Sequence, residues 1–593
     1  MKKFIFVNFA LLFIFPTLSS EIVSTSSGDV KGIVKKKVIL FEDIPYAQPP
    51  IGNLRWKAPK RISNKKLIYP KDNNFCIQRP SNLGGVDSDN FFVGSEDCLY
   101  LDVFVPKKTE DNFLPVMFWI HGGGNTSGLK DLYDFSKVVS KHNVIIVRIN
   151  YRLGPFGWFT HPAIQQFQSG EDKSSNFGTL DIIMALKWVR DNIANFGGDP
   201  NNVTIFGESA GGHNVLSLIA SKKANGLFHK AISMSGYTTS VSIEDAYNPK
   251  IKSSISKYSS FSVTKKLKQK FNLNDFSGDN QILKEREMLL SLSSEDFFKI
   301  YSERDSYDEI PLLTNDGIVI PKVGLKDALS KKEYVNLVPT IAGHNRDEVK
   351  LWLSTARYFV DLDYSVIGSI LGIPKVVLNN EDSFEAFNFY RSAAWKIRGV
   401  DEPLVSLSIA GNEDLYSYRY DWDDHRRLVI ADFKKLIGAG HATEIPLLTR
   451  NNDLVGGYPL SDLIYPPSFS KKFTSKNMMK LWTNFAKSGS PGKSTNSVKW
   501  EKYLSENGSK NYLIIDKRKN LKMFSESDSL DSLATELLND ERLNELEKCV
   551  VLLQMFTYVG NDNYDKAPSN FSKSCKRSDS EKFIKDNASF IEF

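Results

Sequence analysis

The chain has 593 residues, which is long enough for one large α/β domain with excursions or for two domains. A hydrophobic content of 41% and an aromatic content of 12% are typical of a globular protein with a substantial core. The formal net charge of +6 is small for this length and is spread along the chain, so the composition does not indicate nucleic-acid binding.

Residues 1–20 have the pattern of a secretory signal peptide. Lys2 and Lys3 form a basic start, Phe4–Pro16 is an apolar stretch, and the last two residues are small serines that permit cleavage. The apolar stretch is shorter than the roughly 20 residues that a membrane-spanning helix needs, and no later stretch reaches that length. The sequence therefore predicts a secreted protein without an integral membrane segment.

Four cysteines in a secreted chain indicate disulfides. Cys76 and Cys98 enclose a loop that is rich in Asn, Asp, Gly and Ser. For Cys549 and Cys575 three alternatives remain open: a bond to each other, free thiols, or a bond to a partner chain. Asn-x-Ser/Thr sequons occur at five positions, of which we expect the first two to be buried and the last three to be glycan sites: Asn125, Asn202, Asn507, Asn570 and Asn587.

Apolar strand-like runs alternate with helical stretches between about residues 96 and 220. The runs are Val116–Ile120, Val144–Ile149 and Val203–Phe206, and the clearest helix is Leu180–Phe196, with apolar residues at three- and four-residue spacing. This alternation predicts an α/β fold with a mostly parallel central sheet that is flanked by helices on both faces.

The second half of the chain has a less regular pattern. Residues 240–310 read as a helical insertion above the sheet, where substrate specificity could be set, and strand signals return at Val338–Ala342 and Leu415–Tyr420. The charged stretch Leu530–Lys548 is typical of a solvated helix. Residues 559–593 are polar and predict a disordered tail, so one domain over residues 21–558 accounts for the rest.

The stretch Asp199–Gly212 is the most informative part of the chain. It reads as a β-branched strand, a sharp Gly-x-Ser-x-Gly turn with Ser209 at its tip, and a helix from Ala210 to about Ala220. A strand, turn and helix in this order are the context in which such a serine is a nucleophile. Gly207 and Gly211 are expected to be required because a Cβ at either position would clash where strand and helix converge.

A glycine-rich loop precedes this turn. Trp119–Asn125 follows the strand Val116–Ile120 and contains three consecutive glycines, which let backbone N–H groups turn toward an acyl oxygen. Charge develops on that oxygen in a tetrahedral intermediate, and such donors stabilise it. The loop is therefore predicted to be an oxyanion hole.

A serine nucleophile needs a base and a group that orients the base. Of the eight histidines, His441 lies in a loop of small residues after a helix and can be packed tightly against a neighbour. His213 follows Ser209 by one helical turn and is expected to point down the helix, where it serves local packing or polarity. Asp347 and Glu348 both follow the strand Val338–Ala342, at its carboxyl end, where the active sites of open α/β sheets lie. Both remain candidates for the acid.

Several separated motifs between about residues 21 and 556 are shared with one known family. The chain resembles the cholinesterase/type-B carboxylesterase family of α/β hydrolases in the motifs Ser95–Leu101, His121–Gly124, Asn150–Gly157, Asn176–Gly178 with Trp188 and Val189, and Phe206–Gly212. The resemblance implies an α/β-hydrolase fold with helical insertions over the active site.

The resemblance also implies a role for individual residues, and it selects Glu348 over Asp347. The implied roles are the nucleophile Ser209, the acid Glu348, the base His441, the oxyanion donors Gly123, Gly124 and Ala210, a supporting Glu208, and a Cys76–Cys98 disulfide. No metal or organic cofactor is expected, and the expected partner is a small-molecule ester. The oligomeric state stays open.

The chain departs from the cholinesterases at several positions. The loop between Cys76 and Cys98 contains no tryptophan to hold choline, Asn125 replaces the aromatic residue common after the glycine loop, and His213 and Val349 are unusual. These departures favour general carboxylesterase action over acetylcholine hydrolysis. The alternatives are a catalytically silent adhesion protein on the same fold and a transferase whose acceptor is an alcohol.

Overall fold

The computed structural model describes most of the chain. The described residues are 21–63, 66–71, 74–81, 91–107, 113–248, 259–270, 280–302, 313–364, 375–452, 461, 464–504, 509–557 and 575–587. The predicted signal peptide, the sequons at Asn507 and Asn570, and residues 559–574 and 588–593 of the predicted tail lie outside them.

An eleven-stranded sheet forms the centre of the structure, in the order β16-β15-β14-β11-β10-β9-β7-β8-β6-β4-β3. The seven strands from β15 to β8 in this order run parallel, and the strands at both edges pair antiparallel. Two small sheets, β1-β2-β5 and β12-β13, lie outside it. The strands are β1 Ile22–Thr25, β2 Gly28–Lys31, β3 Ile33–Lys35, β4 Val38–Pro45, β5 Leu67–Ile68, β6 Tyr100–Pro106, β7 Leu114–Ile120, β8 Ile145–Ile149, β9 Gly198–Glu208, β10 Lys230–Met234, β11 Thr340–Asn345, β12 Val360–Asp363, β13 Lys375–Leu378, β14 Leu415–Tyr420, β15 Lys510–Ile515 and β16 Lys522–Glu526.

Helices connect the strands and cover the sheet. They are α1 Ser136–His142, α2 Gly154–Gly157, α3 Pro162–Gln165, α4 Phe177–Asn192, α5 Ala210–Ile219, α6 Ile243–Tyr247, α7 Ser260–Lys270, α8 Gln281–Ser291, α9 Ser294–Ser302, α10 Leu325–Ala328, α11 Lys350–Leu353, α12 Glu381–Lys396, α13 Glu402–Ile409, α14 Phe433–Ile437, α15 Ile445–Thr449, α16 Phe469–Ser488, α17 Leu530–Leu538, α18 Glu545–Thr557 and α19 Arg577–Asn587. None of the described helices combines the length and the apolar character that crossing a membrane requires.

Successive side chains of a strand point to opposite faces of the sheet. Both sets are buried here, because helices cover both faces. In β7, Phe118 and Ile120 join the core cluster that includes α4 and α5, whereas Met117 and Trp119 join the cluster that includes α1 and α16. The predicted mostly parallel sheet with helices on both faces is therefore confirmed.

The predicted elements are present, with shifted ends. Strand β14 spans Leu415–Tyr420 as predicted, and the long helix α4 continues through a 3-10 turn to Phe196. Strand β11 begins at Thr340 instead of Val338, because Pro339 just before it has no N–H to donate to a ladder. The insertion is helical where it is described, in α6 to α9.

The C-terminal region differs from the prediction of a disordered tail. Cys549 and Cys575 form a disulfide, as do Cys76 and Cys98, and α19 follows Cys575 directly. The ring of Phe583 in α19 packs edge-on against Tyr358 with centroids 4.8 Å apart. The polar composition concealed this docking because one covalent link and a few apolar contacts suffice to hold a short helix.

Two further predictions need correction. Leu533 and Leu537 of α17 are buried in a third core cluster, so this helix is solvated on one face only. Asn125 is buried as expected, but Asn202 is only half-buried, and its side-chain oxygen accepts a hydrogen bond from the buried Lys230.

Removing the C-terminal disulfide tests how α19 is held. In Cys549→Ser/Cys575→Ser we expect the free energy of unfolding to fall by roughly 3 kcal/mol, because the unfolded chain regains the freedom of the open loop. Amide hydrogen exchange of residues 577–587 should accelerate, whereas the exposed-site control Ser578→Ala should leave it unchanged. Unaltered exchange in the double variant would show that packing alone holds the helix.

Candidate active site

The turn that carries Ser209 is held by the close approach of two strands and a helix. Ser209 follows β9 directly and has φ 58° and ψ −121°, a conformation that presents its side chain at the tip of the turn. A Cβ on Gly211 would lie 2.1 Å from the carbonyl oxygen of Ile120, and one on Gly207 would lie 2.6 Å from the same atom. The predicted need for glycine at both positions is confirmed.

The glycine-rich loop lies against this turn. A Cβ on Gly122 would be 3.1 Å from the Ser209 Cβ, so the two backbones are in contact. Gly123 and Gly124 have φ values of 96° and 62°, and the Gly123 carbonyl accepts hydrogen bonds from the next turn of the loop. Ala210 is the first residue of α5, where backbone N–H groups lack partners within the helix.

His441 and Glu348 form a buried pair. His441 Nδ1 lies 2.6 Å from Glu348 Oε2, and the His441 backbone N–H donates to the Glu348 carbonyl. Because a carboxylate only accepts, Nδ1 carries the proton, and Nε2 has a lone pair in the neutral ring. Nε2 is buried and has no hydrogen-bond partner among the described residues.

Asp347, the other candidate for the acid, has a different environment. Its carboxylate accepts hydrogen bonds from the Ala439 backbone N–H, from Asn388 and from Arg346. Burial opposes its charge, but the guanidinium of Arg346 outweighs this and lowers the pKa of Asp347. Asp347 therefore holds the loop before His441, and Glu348 is the carboxylate that contacts the imidazole.

Three buried carboxylates surround His441. Glu208 Oε1 lies 3.2 Å from His441 Nε2, outside hydrogen-bonding geometry. Burial opposes the imidazolium form, but the charges of Glu208 and Glu348 outweigh it and raise the pKa of His441 to about 9. Burial, with Glu444 and Glu348 nearby, raises the pKa of Glu208 to about 8. The site therefore stabilises positive charge on the imidazole, and the imidazolium in turn opposes part of the effect of burial on Glu208.

Aromatic rings enclose the imidazole of His441. The ring centroids of Trp352 and Trp395 lie 5.1 and 4.8 Å from it.

His213 stacks on Tyr237 at 4.4 Å and its Nε2 contacts the Thr239 carbonyl, so the predicted packing role of this histidine is confirmed. Burial lowers the pKa of His213 to about 4, which keeps the ring neutral.

Sequence reasoning missed two polar residues that hold the Glu348–His441 pair. Ser235, just after β10, has φ 47° and donates a 2.6 Å hydrogen bond to Glu348 Oε1. Asn345 donates from its backbone to the same oxygen and from its side chain to Gly440 and Glu444. Asn345 lies close to Glu348 in the chain, so its proximity is local, but only the tertiary structure brings Ser235 to the acid.

Most of the chain is similar to the proteins of one known family. Residues 19–369 and 399–533 match the model of the carboxylesterase family. The chain belongs to the carboxylesterase family. Among its relatives are the para-nitrobenzyl esterase of Bacillus subtilis, 32% identical over 87% of this chain and 99% of that protein, and the liver carboxylesterase of Sus scrofa, 31% identical over 83% and 89%.

A solved structure of a PNB esterase supports the same assignment. It covers 87% of this chain and 99% of its own, with a TM-score of 0.64 and 28% sequence identity. The α/β-hydrolase fold of this carboxylesterase is thus shared across the full length of that relative.

Removing the Ser235 hydroxyl tests its support of Glu348. In Ser235→Ala we expect kcat/KM for an ester to fall by about tenfold or more, because a buried charge-assisted hydrogen bond contributes roughly 1.5–3 kcal/mol. The matched control is Ser233→Ala, which removes a buried hydroxyl on β10, the strand just before Ser235, that donates to the Gly212 carbonyl instead. An equal loss in both variants would indicate general destabilisation, which the unfolding midpoint would reveal.

Proposed function

We propose that this member of the carboxylesterase family is a secreted serine carboxylesterase with a Ser209, Glu348 and His441 triad. The observation that carries the proposal is the buried His441–Glu348 pair, whose free Nε2 belongs to the same small cluster as Glu208, the residue next to Ser209. The named activities of the relatives, para-nitrobenzyl esterase and liver carboxylesterase, support the same reaction class.

The proposed reaction has two steps. His441 Nε2 takes the Ser209 proton as Ser209 Oγ attacks the ester carbonyl, and the resulting imidazolium gives this proton to the leaving alcohol. Water, deprotonated by the same nitrogen, then attacks the acyl-enzyme, and the imidazolium returns the proton to Ser209 Oγ as the acid is released. Glu348 orients the ring and stabilises its positive charge in both steps.

The backbone N–H groups of Gly123, Gly124 and Ala210 are proposed to stabilise the oxyanion. The positive φ of both glycines and the position of Ala210 at the start of α5 support this assignment. Losing one such donor typically raises the barrier by about 3 kcal/mol.

The two disulfides support an oxidising compartment and so the proposed secretion.

Labelling with a fluorophosphonate probe tests the nucleophile. We expect purified protein to react stoichiometrically and Ser209→Ala to lose the label, because only an activated serine attacks phosphorus. The control Ser217→Ala, on the helix α5 that follows Ser209, should label normally. Well-folded protein that fails to label would favour a silent adhesion protein, and product analysis with added alcohol would separate hydrolysis from acyl transfer.

The pH dependence of kcat/KM tests the charges around His441. Because the base must be neutral, kcat/KM should rise with pH, with a midpoint above the ordinary histidine value of about 6.5. Glu208→Gln removes a negative charge beside the imidazolium, so the pKa of His441 should fall and the midpoint should move to lower pH. Glu413→Gln, at an exposed site, should not move it. An unshifted midpoint in Glu208→Gln would contradict the coupling.

A further inference from the structure

A strip of basic side chains lies on the outer surface of two neighbouring helices. Lys137 and Lys141 occupy successive turns of α1, and Lys472, Lys476 and Lys487 lie on α16, all of them exposed. Arg450, also exposed, follows α15, and α1 packs against both α15 and α16. We call these six residues the α1/α16 basic strip.

The cations of the strip lack acidic partners within the part of the chain that the structure describes. None of its six cations forms a salt bridge with an acidic residue among the described residues. Some basic side chains elsewhere on the described surface do form such pairs, for example Lys434 with Asp423 and Lys435 with Glu381. Salt bridges within the described residues therefore leave the positive charge of the strip unneutralised.

The cations are close enough to act on one another. The pKa of Lys141 is lowered by partial burial and then by the charges of Arg450, Lys137, Lys472 and Lys476. The pKa of His142 falls to about 4 through burial and through Lys487 and Lys141. These effects run from one end of the strip to the other, so it forms a single positive surface.

The strip is long and lies apart from the candidate active site. From Lys472 to Lys487, α16 rises about 22 Å at 1.5 Å per residue. The inner side of α16, including Met478 and Trp482, packs on one face of the sheet, whereas the candidate active site lies at the carboxyl ends of its strands. An extended ligand can thus occupy the strip without covering Ser209.

We propose that the α1/α16 basic strip binds an anionic polysaccharide, a linear chain that carries sulfate or carboxylate groups. The regularly spaced anionic groups of such a polysaccharide match a narrow strip of cations along a helix, and release of counterions would drive the association. The two disulfides indicate an oxidising compartment, whereas the anionic leaflet of a membrane faces the cytoplasm. The observations therefore favour a polysaccharide over a lipid surface.

Binding of the full-length protein to heparin tests the proposal. We expect salt-dependent binding that weakens by about tenfold or more in Lys472→Glu/Lys476→Glu, with a salt slope that is reduced by about two. The matched control is Lys265→Glu/Lys266→Glu, which makes the same charge change at exposed positions of α7 and should weaken binding less than about twofold. Both variants should keep the wild-type unfolding midpoint and kcat/KM.

Four results would overturn the proposal. The first is that the wild-type protein does not bind heparin. The second is an equal loss of heparin affinity in both double variants, which would reflect net charge alone. A third is preferential binding to phosphatidylserine vesicles that Phe469→Ser abolishes, since this 92% exposed ring begins α16 and a lipid surface would use it. The fourth is tighter binding to duplex DNA than to heparin in the same salt.

Discussion

The contact of β7, β9 and α5 at Gly207 and Gly211 is the constraint on which the site depends. The carbonyl of Ile120 approaches both glycines so closely that no side chain fits at either position. This approach forces a tight turn between β9 and α5 and brings the loop after β7 against it. The position of Ser209 and that of the glycine loop are therefore consequences of one steric requirement, and neither can shift without the other.

Electrostatics adds a second layer to this frame. His441 is buried where carboxylates from three different segments converge: Glu208 from β9, Glu348 after β11 and Glu444 just before α15. Burial makes each negative charge costly, and a positive charge between them offsets that cost. The arrangement is pre-organised for an imidazolium, the species that forms whenever this ring accepts a proton.

The loop that carries His441 is positioned by several independent hydrogen bonds. Asp347 holds the Ala439 N–H, Asn345 holds the Gly440 carbonyl, and His425 Nε2 contacts the Gly438 carbonyl. Glycines at positions 438 and 440 let these partners approach closely, because a Cβ at Gly438 would meet Asp347 Oδ2 at 2.5 Å. The small-residue composition of this loop therefore reflects crowding around its backbone, which fixes the imidazole against Glu348.

The sequence alone determined the fold class, the strand–turn–helix around Ser209 and the glycine loop, because hydrophobic periodicity and glycine spacing are local properties of the chain. Residue chemistry also placed His441, but it left Asp347 and Glu348 equivalent, since adjacent carboxylates look alike until their neighbours are known. The family resemblance selected Glu348, and the tertiary structure gives the contacts that distinguish the two carboxylates. Only the tertiary structure joined Ser235 to Glu348, paired Cys549 with Cys575 and docked α19. Each of these depends on contacts between residues far apart in sequence, where local pattern carries no information about distance.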